Sequence, residues 1–179
     1  PPPIANELCG ASRPEHFSGV ATVVMKLFNI VQPNVAIFGK KDFQQLFVIR
    51  ELVRQFNLPI EIIGGETIRE ESGLAMSSRN GYLSAADKLE APRLNKVLKL
   101  IIAAVQKEDK QISLQKFKEI EQTSTDYLTQ LGWQLDYISI RSAQTLKPAT
   151  PDDVNLVVLA AGKLGSTRLI DNMEITLAR

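Results

Sequence analysis

The first third of the chain repeats a simple order, in which helically spaced apolar residues alternate with short apolar runs. The patterns predict helices over 20–31 and 43–56 and buried strands over 35–38 and 60–63. Ser18 is placed to cap the first helix, whereas residues 1–16 contain several prolines and predict irregular structure. Helix, strand, helix, strand in this order implies parallel strands joined by a crossover helix. Residues 1–66 therefore predict an α/β arrangement with a parallel sheet.

The rest of the chain changes character and predicts an α+β arrangement with an antiparallel sheet. It opens on a polar segment, 67–79, that predicts an exposed loop, followed by a turn at Asn80-Gly81 and a capping box at Ser84–Asp87. The later elements are a helix with apolar residues from 94 to 105, a helix over 113–131, strands over 134–141 and 155–161, and a hairpin of 167–170 with 173–177 through Asp171-Asn172. The boundary between the two parts is predicted near residue 66.

The composition of the chain mainly excludes certain partners and certain kinds of site. The formal net charge is +1 and no apolar run is long enough for a membrane span, so the chain predicts neither a nucleic-acid nor a membrane partner. The single histidine, His16, argues against a histidine-built metal site. The single cysteine, Cys9, cannot form a disulfide within the chain, which fits a reducing cytoplasm. The chain begins with three prolines and no methionine, and we expect a processed or truncated piece of something longer.

The turn after the first predicted strand has the clearest chemical pattern. Gly39 ends the strand, Lys40, Lys41 and Asp42 follow, and Gln45 lies in the first turn of the next helix. Ligands of open parallel sheets bind where strand ends meet helix N-termini, and glycine lets a ligand approach the backbone. The lysines would supply charge for a phosphate, and Asp42 would accept from ribose hydroxyls. On spacing alone, however, a solvated turn with Asp42 as an ordinary N-cap is favoured.

A second polar group, Met76–Arg79, follows the second predicted strand. Its hydroxyls and guanidinium suit a polyphosphate, because arginine binds phosphate bidentately. An ordinary polar loop is the alternative and is favoured when the segment is considered alone. Since the segment follows the strand beside the Gly39 turn, we expect both groups at one rim of the sheet. Arg13 and His16 are interpreted as a surface arginine and a packing or capping histidine.

Five segments share residues and spacing with one known family. They are Ser12–Phe17, Lys26–Asn29, Phe38–Gln45, Met76–Leu83 and Arg168–Asn172. Together they closely resemble pantothenate synthetase (pantoate–β-alanine ligase) over essentially the whole chain. The resemblance implies a nucleotidyltransferase in which residues 1–66 are the C-terminal portion of a Rossmann-like nucleotide-binding domain. Residues 67–179 would form a smaller α+β lid domain that carries the Met76–Arg79 loop.

The resemblance also implies a reaction, its substrates and its setting. ATP and Mg²⁺ would support the condensation of pantoate with β-alanine. Pantoate would attack the α-phosphate of ATP to give pantoyl adenylate and pyrophosphate, and the amine of β-alanine would then release AMP and give pantothenate. The family further implies a cytoplasmic homodimer.

Roles for the residues of the Gly39 turn follow from the same resemblance. Gly39, Lys40, Lys41 and Asp42 would hold ATP, with Lys41 on a phosphate and Asp42 on the ribose. Gln45 would bind pantoate. Electrostatic stabilisation of the reacting phosphate by lysine and arginine is the mechanism that such a site predicts.

The second polar group is similar to the mobile Lys-Met-Ser-Lys-Ser loop of nucleotidyltransferases. Met76, Ser77, Ser78 and Arg79 would clamp the triphosphate, and Ile68 would pack near adenine through backbone contacts. The residues with implied catalytic roles are Lys41, Ser77, Ser78 and Arg79. No protein ligand for a metal ion is implied.

Two departures from the family pattern qualify these expectations. Most members have glutamate where Lys40 stands, which leaves the charged partner of that position open. The His-x-Gly-His motif and a further pantoate-binding glutamine of the family's N-terminal half are absent. We therefore expect a C-terminal part of the enzyme that is inactive alone, with its first 66 residues loosely ordered or paired with a second copy.

Two other classes of protein remain as alternatives. One is a non-catalytic nucleotide-binding or dimerisation module derived from the same family, which the absent histidines favour. The other is a different adenylate-forming nucleotidyltransferase, against which Gln45 argues because it matches the pantoate contact.

Overall fold

The structure is a computed structural model that describes residues 2–108 and 112–178. The chain divides into two compact units, Pro1–Thr67 and Ile68–Arg179, called here the first and the second unit. Within the described residues, no helix combines the length and the apolar character that crossing a membrane requires.

The first unit contains a two-stranded parallel sheet. Its elements are a 3₁₀ helix at Pro3–Asn6, α1 (Cys9–Ser12), α2 (His16–Val31), β1 (Val35–Gly39), a 3₁₀ helix at Lys40–Asp42, α3 (Phe43–Gln55) and β2 (Glu61–Gly65). β1 and β2 pair in parallel from Val35 opposite Glu61 to Gly39 opposite Gly65. The predicted order of elements and the parallel pairing are confirmed.

The two strands are not buried as the sequence pattern predicted. Their inward residues, such as Phe38 and Ile62, pack with α2 and α3 around Ile49. The residues that alternate with them stay exposed, with Val35 at 45% and Ile37 at 70% exposure. A continuous apolar run is typical of a strand covered on both faces. Within the described chain the helices pack on only one face, which explains the difference.

The segment before α2 is more ordered than predicted. α2 begins at His16 rather than Val20, and Ser18 lies inside it, so Ser18 is not its cap. Glu15, the residue before the helix, has a left-handed backbone and makes no capping bond. Upstream, the Pro3–Asn6 helix and α1 replace the expected irregular structure, because the buried side chain of Gln44 hydrogen-bonds their backbone.

The second unit combines four helical segments with a three-stranded antiparallel sheet. Its elements are a 3₁₀ helix at Ser78–Tyr82, α4 (Ala85–Glu90), α5 (Arg93–Lys107), α6 (Leu114–Gln130), β3 (Gln134–Ser142), β4 (Asn155–Leu164) and β5 (Thr167–Thr176). The strand order is β3-β4-β5. Ser84 caps α4 by accepting from the backbone N–H of Asp87, so the predicted N-cap is confirmed; the Asp87 carboxylate accepts from the Ser84 hydroxyl. The fold class predicted from the sequence is confirmed as well.

One apolar core fills the second unit between its helices and the sheet. Leu98 and Ile101 of α5, Leu128 of α6 and Ile140 of β3 are at most 1% exposed. The only tryptophan of the chain, Trp133, belongs to the same core and donates from Nε1 to Glu90 Oε1 at 3.3 Å.

The predicted hairpin through Asp171-Asn172 is wrong. β5 runs without interruption through both residues, and the connection to β4 is the two-residue turn at Gly165-Ser166. Gly165 has a positive φ of 57°, as tight hairpins require. Asp-Asn suggests a turn by composition, but here both side chains are buried. The Asp171 carboxylate accepts from Arg69 and from the backbone N–H of Asn172, which is compatible with a strand.

The edge strand β3 is held by a carboxylate from α6. Ile140 donates its backbone N–H to Glu121 Oε1 at 2.6 Å, which satisfies a donor that β4 does not use. Burial raises the pKa of the Glu121 carboxyl, although the Ile140 hydrogen bond and the charge of Arg141 act in the opposite direction.

Candidate functional site

The carboxyl ends of β1 and β2 lie side by side and carry an ion pair. Gly39 is opposite Gly65 in the register, and the next residue on each strand joins the other, with Lys40 Nζ 2.6 Å from Glu66 Oε1. The Glu66 side chain is 78% exposed. Glu66 is therefore a charged partner of Lys40, the residue that departs from the family pattern.

Gly39 is not required by the packing of the first unit. Its φ of −69° is open to any residue, and a methyl carbon placed on it would meet no atom of the described chain within 4 Å. Gly64 differs, because a methyl carbon there would lie 3.1 Å from Leu46 and 3.2 Å from Lys40. The backbone at Gly39 is thus open to close approach by a ligand, as the sequence pattern suggested.

Lys41 and Asp42 lie in the single 3₁₀ turn that leads from β1 into α3. Lys41 is partly buried and Asp42 is exposed. Asp42 occupies the N-cap position of α3, but its side chain makes no capping hydrogen bond. The ordinary N-cap that spacing alone favoured is therefore not formed, and the carboxylate is open to solvent at the helix N-terminus.

The two adjacent glutamines of α3 have different surroundings. Gln44 is 4% exposed, donates to the carbonyls of Ile4 (2.7 Å) and Glu7 (2.9 Å), and accepts from the N–H of Cys9 (3.1 Å). Gln45 is partly buried, and its side chain makes no hydrogen bond to the described residues. Gln44 is thus structural, whereas Gln45 keeps its amide available for a ligand. The structural use of Gln44 was not predicted, since its partners lie 35 to 40 residues earlier in the sequence.

In the second unit, the segment predicted as an exposed loop is largely a short hairpin. Arg69 and Ala75 form an antiparallel bridge, and the N–H of Met76 donates to the carbonyl of Ile68 at 2.9 Å. Leu74 and Ala75 are buried at 7% and 3% exposure. The exposed-loop prediction is therefore wrong for Leu74 and Ala75, whereas Ile68, residues 70–72 and Met76 are exposed as predicted.

The predicted phosphate-binding residues of this unit follow the hairpin directly. Ser77 begins the Ser78–Tyr82 helix by accepting from the N–H of Arg79 at 3.2 Å, and the predicted Asn80-Gly81 turn lies inside that helix. Ser78 and Arg79 are exposed, as are Met76 at 56% and Ile68 at 67%. The exposed side chains of this segment thus include a hydroxyl and a guanidinium.

A buried polar network lies at the base of this hairpin and was not predicted. Arg69 donates to both carboxylate oxygens of Asp171, Nη1 to Oδ2 at 2.7 Å and Nη2 to Oδ1 at 2.9 Å. Asn95 donates to the same Asp171 at 3.2 Å. Asn80 donates to Glu70 and to the carbonyl of Ala75, both at 3.1 Å. Arg69 and Asp171 are 102 residues apart in sequence, so no local pattern indicates their pairing.

The site residues thus fall into two groups, one in each unit. The first unit brings together Gly39, Lys40, Lys41, Asp42 and Gln45 around one turn. The second unit pairs the backbone of Ile68 with that of Met76, and Ser77, Ser78 and Arg79 follow directly in sequence. Cations, hydroxyls and free backbone N–H groups of this kind bind anions. In residues 2–108 and 112–178, no three histidine, cysteine, aspartate or glutamate side chains cluster as ligands for a metal ion.

Arg13 and His16 lie against each other in the first unit. Arg13 Nη1 donates to His16 Nε2 at 3.1 Å, and the His16 ring lies 5.0 Å from the ring of Phe17.

Comparison with protein families agrees with the resemblance noted in the sequence. The model of the Pantoate-beta-alanine ligase family matches residues 1–174. A pantothenate synthetase of Methylobacillus flagellatus is 68% identical over 177 residues, which are 99% of this chain and 62% of that protein. The chain therefore spans about three fifths of the length of this relative.

Solved structures give the same result. A pantothenate synthetase from Thermus thermophilus has a TM-score of 0.88 and 38% identity, covering 98% of this chain and 62% of that one. A pantoate-beta-alanine ligase from Francisella tularensis, complexed with beta-gamma ATP and beta-alanine, has a TM-score of 0.58 and 34% identity, covering 95% of this chain and 54% of that one.

Proposed function

The chain belongs to the pantoate–beta-alanine ligase family, and from this premise we propose that it takes part in the ATP-dependent ligation of pantoate to β-alanine. The match over residues 1–174 carries the proposal, because it includes both groups of site residues. The Francisella tularensis relative was crystallised with an ATP species and β-alanine, which supports two of the three substrates.

The proposed chemistry has two balanced steps. A carboxylate oxygen of pantoate bonds to the α-phosphorus of ATP while the bond to the bridging oxygen breaks, so that pyrophosphate leaves with the electron pair. The amine of β-alanine then bonds to the acyl carbon of pantoyl adenylate, AMP leaves, and the amine nitrogen loses a proton. Charge develops on phosphate oxygens in the first step, and cationic side chains that meet it there lower the barrier.

We assign the phosphate contacts to the two groups of cations. Lys41 lies in the turn that precedes the N-terminus of α3, where its ammonium and the free N–H groups of the helix suit an anion. Arg79, with Ser77 and Ser78, would bind the phosphates from the second unit, since all three lie in one segment whose Ser78 and Arg79 are exposed. Together they would neutralise the charge of the reacting triphosphate.

The nucleoside and pantoate contacts belong to the remaining residues. Gly39 leaves its backbone open to the nucleotide. The carboxylate of Asp42 is exposed and makes no capping hydrogen bond to α3, so ribose hydroxyls can donate to it. Ile68 is 67% exposed and would pack near adenine. Gln45, whose amide is not used within the described chain, would bind pantoate. Lys40 would act at the same rim through its pair with Glu66.

Magnesium would arrive bound to the phosphate oxygens of ATP, an arrangement that needs few or no protein ligands. We place the reaction in the cytoplasm, in keeping with the single cysteine of the chain. A homodimer is also part of the proposal, supported by the apolar side chains of Ile30 and Val31 on α2, which are 79% and 65% exposed.

The test is pyrophosphate release by the complete gene product with magnesium ATP. We expect release that depends on pantoate, and pantothenate formation that also requires β-alanine. Hydroxy acids of similar size serve as matched controls and should support little release. Equal release without pantoate would contradict the proposal, and nucleotide binding without any release would favour the non-catalytic module.

A narrower part of the proposal concerns residues 1–179 as a separate polypeptide. They contain one histidine, so the His-x-Gly-His motif implied by the family resemblance is not among them. Loss of part of a preorganised phosphate site costs orders of magnitude in rate. We expect no measurable ligase turnover from this polypeptide, and normal turnover would refute the requirement for that motif.

A further inference from the structure

Asp171 is a carboxylate buried in the middle of strand β5. Its side chain is 3% exposed, and its neighbour in the register is Ala160 of β4. Removing a charge from water is costly, and an apolar side chain of similar volume commonly stabilises a strand equally well or better. The stability of β5 therefore does not explain why an aspartate lies at this position.

Two of the hydrogen bonds of Asp171 come from the hairpin that precedes the Met76–Arg79 loop, and a third comes from the backbone N–H of the next residue, Asn172. Arg69, on the first arm of that hairpin, binds both carboxylate oxygens, and Asn95 of α5 donates to Oδ2. Arg69 Nη1 also donates to the carbonyl of Gly73 at the hairpin tip, 3.1 Å away. One guanidinium thus links strand β5 to both the arm and the tip of the hairpin.

The hairpin in turn fixes the first residue of the Met76–Arg79 loop. Arg69 and Ala75 form an antiparallel β-bridge through their backbones, and the N–H of Met76 donates to the carbonyl of Ile68. The position of Met76 therefore depends on the arm that carries Arg69. The other end of the loop is fixed by Asn80, which is 9% exposed and donates to the carbonyl of Ala75. The exposed residues between these two anchors are held at both ends.

From this geometry we propose that Asp171, acting through Arg69, is a positioning residue that sets the orientation of the Met76–Arg79 loop toward ATP. Asp171 touches no substrate in this proposal, which rests on the proposed function of the loop. The bidentate pair fixes direction as well as distance, because the two N–H···O bonds are parallel. A lysine at position 69 would keep the charge and lose the second bond.

The test compares variants of the complete gene product. Asp171→Asn keeps the shape and removes the charge that binds Arg69. We expect the KM for ATP to rise and the adenylation kcat to fall by roughly ten- to a hundredfold in total, since displacement of positioned groups by about 1 Å has such effects. The KM for pantoate should stay within about twofold, because Gln45 lies in the other unit. Arg69→Lys should act in the same direction and supplies the test if Asp171→Asn does not fold.

A double variant separates positioning from stability. Arg69→Met with Asp171→Leu replaces the buried pair by apolar side chains, and such replacements often preserve the fold. We expect a melting temperature near that of the wild type, together with a raised KM for ATP. A double variant with a normal KM for ATP would overturn the proposal.

The matched control is Asp136→Asn. Asp136 accepts from Arg168 Nε at 2.7 Å, so the control also breaks a carboxylate–arginine pair of the second unit that involves β5. This pair joins β3 to β5 and does not include a residue of the hairpin, so we expect the KM for ATP to be unchanged. An equal rise in the control would overturn the proposal by showing a general structural effect.

Hydrogen exchange supplies a readout that does not depend on activity. Amides of residues 74–82 should exchange faster in Asp171→Asn than in the wild type or in Asp136→Asn. If the wild type shows no pantoate-dependent pyrophosphate release, the proposed function fails. Hydrogen exchange then still tests whether the Asp171–Arg69 pair holds the hairpin and the loop in place. Unchanged exchange and unchanged KM for ATP in both Asp171→Asn and Arg69→Lys would overturn the inference.

Discussion

The two units of the chain differ in how their sheets are covered. In the first unit, helices pack on one face of a two-stranded sheet, and Ile37 on the other face is 70% exposed. In the second unit, α5 and α6 close a core in which Leu98 and Leu156 are fully buried. The difference indicates that the second unit contains its own folding core, whereas the first presents its candidate site on a sheet that leaves apolar surface exposed.

The largest expected effect comes from a substitution in the core of the second unit. Leu98→Ala in residues 1–179 should lower the free energy of unfolding by about 2–5 kcal/mol, because it removes buried methyl groups and leaves a cavity. Leu27→Ala is the matched control, since Leu27 also lies on a helix but is 51% exposed. Urea denaturation measures both. A loss at Leu27 as large as that at Leu98 would contradict the difference in burial on which this prediction rests.

The next effect concerns the chemistry of the first unit. Lys41→Ala in the complete gene product should reduce adenylation about ten- to a hundredfold, because a hydrogen bond to a charged group contributes roughly 1.5–3 kcal/mol. Its melting temperature should change little.

Lys40→Ala is the neighbouring control for this variant. It breaks the partly exposed pair with Glu66, and exposed pairs contribute little to stability. If Lys40→Ala abolished adenylation and Lys41→Ala left it untouched, the assignment of the phosphate contact to Lys41 would be wrong.

A smaller effect sharpens the comparison at the open face of the first sheet. Ile37→Lys in residues 1–179 should reduce self-association, because a charge on an exposed apolar strand disfavours pairing between copies. The free energy of unfolding should change by less than about 0.5 kcal/mol, as is usual for exposed positions. Sedimentation velocity checks the first expectation. A monomeric parent polypeptide would show that its open strands do not pair with a second copy.

The smallest effect is the pH dependence of the second unit. The pKa of Glu121 is raised by burial, so the folded state binds its proton more tightly than the unfolded state does. Its contribution to stability is therefore present below the ordinary glutamate pKa and is lost as pH rises through the folded value. Glu121→Gln keeps an oxygen that can accept from the N–H of Ile140. The melting temperature of this variant should exceed that of the wild type by an amount that grows from pH 4 to pH 7, a range chosen to bracket the ordinary glutamate pKa of about 4.3. A constant difference would contradict this.

Most of the fold was predictable because local patterns determine it. Periodicity predicted α3, α5 and α6, and the Ser84 N-cap of α4 followed from local chemistry alone. The prediction failed at Asp171, whose turn-like composition is outweighed by a partner 102 residues away. It also failed at Ser18, because the helix begins two residues earlier.

In the candidate site, too, local motifs were predictable from the sequence, whereas contacts between distant segments were not. The Gly39 turn and the Met76–Arg79 segment were visible as local motifs. In the structure, Lys40–Asp42 form a 3₁₀ turn after β1 and Ser78 begins the 3₁₀ helix at Ser78–Tyr82. Glu66 as the partner of Lys40 and the structural role of Gln44 depend on which segments meet in three dimensions. The roles of the site residues in substrate binding stay predictions that the variants above test.

The position of Trp133 gives the protein a built-in optical reporter. It is the only tryptophan in the chain, is 2% exposed, and lies in the core of the second unit. Tryptophan fluorescence therefore follows the unfolding of the second unit, while far-ultraviolet circular dichroism follows the helices of both. A denaturant curve in which the two signals separate would show that the units unfold independently, without any label or substitution.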